Sequence, residues 1–134
     1  MYRVLLADDD HFCLRALKKY LGDIGCNVSI VDNGNDAFEV MQRENFDLFI
    51  GNYHLPGKSC ERLIPELRAR GWDTPSILMT GDITEETERN ARQLSPVFFF
   101  VKPINLPDLK AVVYKVLEKD KTTAVSNENV SGTK

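Results

Sequence analysis

The sequence predicts an α/β fold, a doubly wound parallel sheet of five strands with five helices, on three observations. Strand-like and helix-like segments alternate five times along the 134 residues. The strand segments are short and apolar, as in a parallel sheet covered on both faces. Acidic, hydroxyl and lysine residues stand where those strands end, and open α/β sheets gather functional groups at the carboxyl ends of their strands. Right-handed crossovers with one reversal of strand order complete the architecture.

Residues 3–7 form an apolar run that stops at Asp8, Asp9 and Asp10, and read as a buried strand. Over 12–24, Cys13, Leu14, Leu17, Tyr20, Leu21 and Ile24 make one helical face, with Gly25 placed to close the helix. A second strand covers 28–31, and the Asn33-Gly34 turn leads into a helix over about 35–44. The third strand is 46–51. After Pro56-Gly57, a stripe of Cys60, Leu63, Ile64 and Leu67 marks a third helix ending near Gly71, with Trp72 capping it or lying on the surface. Pro75 opens a fourth strand at 76–79. Residues 83–94 read as a helix with a thin apolar face of Ile83, Ala91 and Leu94. The fifth strand is 97–101, and its Phe98-Phe99-Phe100 run reads as mainly core. Leu106, Leu109, Val112, Val113, Val116 and Leu117 give a strong last helix, and from about Asp120 the chain turns polar and is expected to be disordered.

The composition, 43% hydrophobic and 28% charged, is that of an ordinary soluble domain. Its longest apolar stretch, 97–101, is far short of the roughly 20 residues of a membrane span. No basic segment and apolar run of a secretory signal open the sequence, so a cytoplasmic location is expected. Three cysteines without a CxxC pair point to reduced, packed thiols. A net charge of −3 argues against nonspecific nucleic-acid binding. His11 and His54 have no companion at metal-ligand spacing and read as structural or peripheral.

The strand ends carry the chemistry: Asp8, Asp9 and Asp10, then Asn52, Thr80, and Lys102 followed by Pro103. Carboxylates crowded at one mouth repel unless something positive sits between them. A hard divalent cation such as Mg²⁺ suits carboxylate and carbonyl oxygens. Lys102 adds positive charge, and Thr80 a hydroxyl that can donate to an anionic oxygen. Such a set can handle a phosphoryl group. Each motif taken singly has a plainer reading: a solvated strand end with a helix cap, a turn residue, a strand terminator.

Four motifs taken together say more: residues 4–10 (VLLADDD), 47–57 (DLFIGNYHLPG), 79–81 (MTG) and 99–103 (FFVKP). In this order and spacing they resemble the response-regulator receiver domain of two-component phosphorelay systems, over roughly residues 2–119. The resemblance implies a flavodoxin-like strand order of 2-1-3-4-5, a domain at residues 1–119 and a tail at 120–134. It implies that Asp9 ligates Mg²⁺ directly, that Asp8 acts on it largely through water, and that the backbone carbonyl of His54 is a further ligand. Asp10 becomes a helix N-cap. Asn52 stands at the phospho-acceptor position, Thr80 is the switch hydroxyl, Phe99 the switch aromatic, and Lys102 the partner of a phosphoryl oxygen. Pro103 matches a peptide that is often cis. The implied role is not enzymatic. A histidine kinase or phosphotransfer protein would face the first helix, and a downstream protein the surface of helix four, strand five and helix five. Neither nucleic acid nor membrane is an implied partner. With only a polar tail after the last helix, the chain is expected to be a stand-alone domain or one cut from a larger regulator or hybrid kinase.

One departure stands out. The family carries its phosphoryl group on an aspartate where this chain has Asn52, and an amide has no anionic oxygen to attack phosphorus. The lost charge eases repulsion and weakens Mg²⁺. Either the asparagine is natural to a pseudo-receiver, a phosphorylation-independent interaction module, or it is a substitution that blocks the acceptor. The intact remainder of the pocket favours substitution or recent loss. A haloacid-dehalogenase-type phosphatase, suggested by Asp8-x-Asp10 with Thr80 and Lys102, lacks a further acidic pair and a cap insertion. A flavodoxin-like cofactor binder would need a phosphate loop where three aspartates stand.

Overall fold

A computed structural model describes residues 1–82 and 84–126, with side chains described as far as Glu118. Ile83, expected in the fourth helix, and 127–134 of the expected tail lie outside the described residues. The elements are β1 (Tyr2–Ala7), α1 (His11–Asp23), β2 (Cys26–Val31), α2 (Gly34–Arg43), β3 (Leu48–Asn52), α3 (Cys60–Arg68), β4 (Ser76–Thr80), α4 (Glu85–Arg92), β5 (Phe98–Val101) and α5 (Leu106–Ser126). All neighbouring strands pair in parallel, in the order β2-β1-β3-β4-β5. The predicted fold class is the observed one.

Strand alternation sorts the core into two layers. Val4 and Leu6, Leu48 and Ile50, Ile77 and Met79, and Phe100 face one side, where they meet Leu14, Leu17 and Leu21 of α1 and Leu109, Val113 and Val116 of α5. Leu5 and Ala7, Phe49 and Leu78 face the other side, against Ala37 and Met41 of α2, Leu63, Ile64 and Leu67 of α3, and Ala91 of α4. The three interior strands are covered on both faces, which is why β3 and β4 are buried throughout.

β5 has one paired neighbour: Phe100 is buried and Phe99 half-buried against the core, as expected, while Phe98 is 46% exposed. An apolar edge strand reads the same in sequence as an interior one. The last helix continues to Ser126, beyond the boundary expected at 119. Trp72 is half-buried, edge-on to Phe49 at 6.3 Å between ring centroids and 4.7 Å from the Arg68 guanidinium, so it closes the core below α3. The three cysteines are free thiols, with Cys26 and Cys60 buried. Among the described residues no helix is long and apolar enough to cross a membrane.

One contact sets the loop after β3. The Gly34 amide at the start of α2 donates to the Pro56 carbonyl at 2.9 Å, and a Cβ on Gly34 would lie 1.6 Å from the Lys58 carbonyl oxygen. Gly57 in the same loop adopts φ +81°, which side chains resist. Lys58 is tied down by Glu66 of α3 at 2.7 Å. The loop is therefore seated between two helices. Gly34→Ala is expected to lower stability by about 1–3 kcal/mol through overpacking against backbone. Gly22→Ala, on the open surface of α1 with nothing within 4 Å, should instead raise it by about 0.5–1 kcal/mol. Urea midpoints of the two variants check both signs.

Candidate functional site

The strand register brings the singled-out positions to one end of the sheet. Ala7 pairs with Gly51, Asn52 with Met79, and Thr80 with Val101, so Asp8, Asn52, Thr80 and Lys102 all emerge at the carboxyl ends of adjacent strands. Asp8 is fully buried, and its Oδ2 receives Lys102 Nζ at 2.6 Å while its Oδ1 receives the Asp10 amide at 3.0 Å. Lys102, expected to partner a phosphoryl oxygen, here meets Asp8, an ion pair that the sequence pattern does not reveal. The Lys102–Pro103 peptide is cis. Asp10 caps α1, its Oδ1 accepting from the Phe12 and Cys13 amides at 3.1 and 3.2 Å. Asp9 is exposed, with no side-chain partner among the described residues.

Asn52 is buried. Its Nδ2 donates to the His54 carbonyl at 3.1 Å, the very oxygen expected to serve as a metal ligand. Its Oδ1 is buried with no hydrogen-bond partner. The backbone around it is held on both sides: the Tyr53 amide donates to Met79 O at 2.7 Å, Cys60 Sγ to Asn52 O at 3.3 Å, and the Cys60 amide to Tyr53 O at 3.1 Å. The Tyr53 ring is buried, and burial, with Glu61 adding negative charge, pushes its phenol up to about 12.

Thr80 is fully buried and its Oγ1 accepts from the Asp82 amide at 2.9 Å. Phe99 pairs in register with Leu78 and so lies on the same face of the sheet as Thr80, as alternation requires. It is half-buried, with the Arg92 guanidinium of α4 5.8 Å from its ring.

Asp82 went unnoticed in the sequence. Its Oδ2 accepts from Thr87 Oγ1 at 2.8 Å, its Oδ1 from the Thr84 amide at 3.1 Å, and His54 Nε2 lies 3.5 Å from Oδ2. The spacing Asp82-x-Thr84-x-x-Thr87 is a capping pattern that could have been read. His54 thus touches the site with its carbonyl and, loosely, with its ring. His11 does not join it; it pairs with Asp32 at 3.0 Å on the surface.

As a seat for a hard cation the donor set is oxygen-rich but thin. It offers Asp9, one face of the Asp8 carboxylate already engaged by Lys102, the orphaned Asn52 Oδ1, and a His54 carbonyl already accepting a hydrogen bond. No cluster of three or more His, Cys, Asp or Glu side chains converges among the described residues. Among the described residues the Lys102 ammonium meets the Asp8 carboxylate alone, and the Asp9 carboxylate beside Asp8 in sequence is left exposed.

Three comparisons bear on the fold and the site. A family model described as the response regulator receiver domain matches residues 4–114. The chain is 28% identical over 127 residues to the transcription factor SKN7 of Candida albicans, across 95% of this chain and 23% of that protein. It spans less than a third of the length of the curated relatives it matches. Among solved structures, the signal receiver domain of a putative Luxo repressor protein from Vibrio parahaemolyticus has a TM-score of 0.84 at 27% identity, covering 98% of both chains. The receiver domain of sensor histidine kinase PA1611 from Pseudomonas aeruginosa, with a magnesium ion coordinated in its active site cleft, has a TM-score of 0.80 at 21% identity, covering 87% of this chain and 98% of that one.

Two outcomes are expected from this geometry. Lys102→Met strands a fully buried carboxylate and should cost about 3 kcal/mol in urea unfolding; Asp8→Asn strands an ammonium whose side chain is 20% exposed and can still reach water, and should cost less. The Thr87 hydroxyl, then the Thr84 amide, hold the Asp82 carboxyl below its usual range. A lowered folded value means stability that is present above the ordinary carboxylate range and lost as pH falls through that lowered value. The protection of the Thr84 and Thr87 amides from exchange, taken relative to the intrinsic rate at each pH, should therefore fall on acidification in the parent and not in Asp82→Asn.

Proposed function

This chain belongs to the response regulator receiver domain family, and from that membership we propose a signalling module of a two-component phosphorelay that works by binding proteins, with a non-phosphorylatable acceptor position at Asn52. The observation that carries the proposal is the buried Asn52 amide at the end of β3, with Thr80 on the neighbouring strand and both flanked by Asp8 and Lys102. An acceptor must present an anionic oxygen to phosphorus, and the amide group presents none.

The roles follow from position. Asp8 and Asp9 supply the acidic pair, Thr80 the hydroxyl that would move toward a phosphoryl oxygen, and Phe99 the aromatic that shares its face of the sheet. A magnesium ion, as in the PA1611 receiver domain, would be held by Asp8, Asp9, the His54 carbonyl and Asn52 Oδ1. When bound, it supplies positive charge to an incoming phosphoryl group. Asn52 weakens that seat by one negative charge. The partners consistent with membership are a histidine kinase or phosphotransfer protein at α1 and a downstream protein at the α4–β5–α5 face. Phe98 and Val101 on β5 and Tyr114 on α5 are exposed there and provide apolar surface. The domain itself performs no catalysis.

The thinned metal seat also favours the second reading, of a pseudo-receiver whose interactions never depend on phosphorylation. Intact mass after incubation with Mg²⁺ and a small-molecule phosphodonor separates the two. Only Asn52→Asp should gain a labile phosphoryl mass. If neither form is modified, the pocket has drifted beyond Asn52 and the pseudo-receiver reading stands; if the parent is modified at this site, the proposal fails.

A further inference from the structure

Asn52 does more than remove a charge. An aspartate at this position would have no proton to give the His54 carbonyl, and that oxygen would need water or a cation. The Asn52 amide donates to it at 3.1 Å. On the other side of the pocket, Lys102 at 2.6 Å and the Asp10 amide at 3.0 Å occupy both oxygens of Asp8. The oxygens that a divalent cation would draw together are thus already drawn together by protein groups.

We infer that Asn52 is a positioning residue that replaces the cation: its amide clasps the His54 carbonyl and, with the Lys102–Asp8 pair, fixes the loop after β3 in one arrangement whether or not a divalent ion is present. This rests on the receiver reading above, in which Asp8, Asp9 and the His54 carbonyl are the metal's donors. The clasp acts locally. Asn52 lies on the last residue of β3, the Tyr53 and Cys60 amides lock the intervening backbone, and the Gly34–Pro56 hydrogen bond holds the far end of the loop. With both ends pinned, one side-chain hydrogen bond is enough to choose the direction of the His54 carbonyl. A cation entering this pocket meets a His54 carbonyl that already accepts a hydrogen bond and an Asp8 carboxylate whose two oxygens are already engaged. It therefore competes with groups inside the chain, and a signal carried by the loop becomes insensitive to Mg²⁺.

The test is an NMR titration of the ¹⁵N-labelled parent chain and of Asn52→Asp, each taken from EDTA into Mg²⁺. In the parent, one of the two Asn52 side-chain amide protons should be protected from solvent exchange, and the backbone amide signals of Tyr53, His54, Leu55 and Gly57 should hold still. In Asn52→Asp the same signals should move and saturate, with Mg²⁺ binding at least about tenfold tighter than in the parent. Thermal melts should agree: Mg²⁺ raises the midpoint of Asn52→Asp and leaves the parent unchanged. Rapid exchange of both Asn52 protons, or parent loop signals that move as far as those of the variant, overturns the clasp. If Asn52→Asp gives no Mg²⁺ response, the metal-seat reading fails and the replacement claim with it, and a protected Asn52 proton in the parent then assigns the failure to that reading rather than to the hydrogen bond.

Discussion

The pocket depends on one buried ion pair between positions far apart in the chain. Asp8 follows β1 and Lys102 follows β5, and β3 and β4 lie between those strands in the sheet. A fully buried carboxylate is costly unless a cation meets it with good geometry. The ammonium at 2.6 Å and the Asp10 amide at 3.0 Å meet both oxygens, so the mouth of the sheet closes over the ends of the two intervening strands. Those ends carry Asn52 and Thr80. Burial of the two polar residues is a consequence of that closure as much as of their own packing. The pair is also a constraint on function, because any ligand that uses Lys102 must first offer Asp8 another positive partner.

The two-layered core assigns the remaining groups. Alternation puts Thr80 and Phe99 on the face that packs against α2, α3 and α4. The hydroxyl of Thr80 is committed to the Asp82 amide, Asp82 to the first turn of α4, and Phe99 lies beside Arg92 on the same helix. A movement of Thr80 into the pocket would therefore reach α4 by two routes, through the loop and through the ring. The helix receiving it buries little, with only Thr87 and Ala91 fully packed. Weak anchoring of that kind leaves a helix free to shift at small energetic cost.

Much of this was legible in the sequence, for identifiable reasons. The interior strands announced themselves as apolar runs because both faces are covered, and the polar residues after them fell at one end because the sheet is parallel. Asp10 as an N-cap was readable from its place before a helical stripe. The exposure of Phe98 was not readable, since the run Phe98, Phe99 and Phe100 carries no mark of having a neighbour on one side only. The end of α5 was misplaced because polar residues such as Lys119 and Asp120 fit an exposed helix as well as a tail. The Lys102–Asp8 contact and the direction of the Asn52 amide were not readable at all. Both depend on distances between elements, to within a fraction of an ångström, that no spacing encodes.

An asparagine in this setting changes the terms on which the domain can signal. A two-state element shifts only as far as a ligand binds one state better than the other. A phosphoryl group on the acceptor would provide that difference by recruiting Lys102 and Thr80 together, and moving from a rare state to a dominant one takes several kcal/mol, about 5.5 for a full reversal from 1:99 to 99:1. On the reading proposed above that source is gone, and the Asn52–His54 hydrogen bond would add its weight to the resting arrangement. What remains is the surface: a partner that binds the α4–β5–α5 face or α1 better in one arrangement can still shift the balance by its own differential affinity. On the proposed reading, then, the binding partner acts as the ligand of the switch, and the pocket sets the resting state against which that partner works.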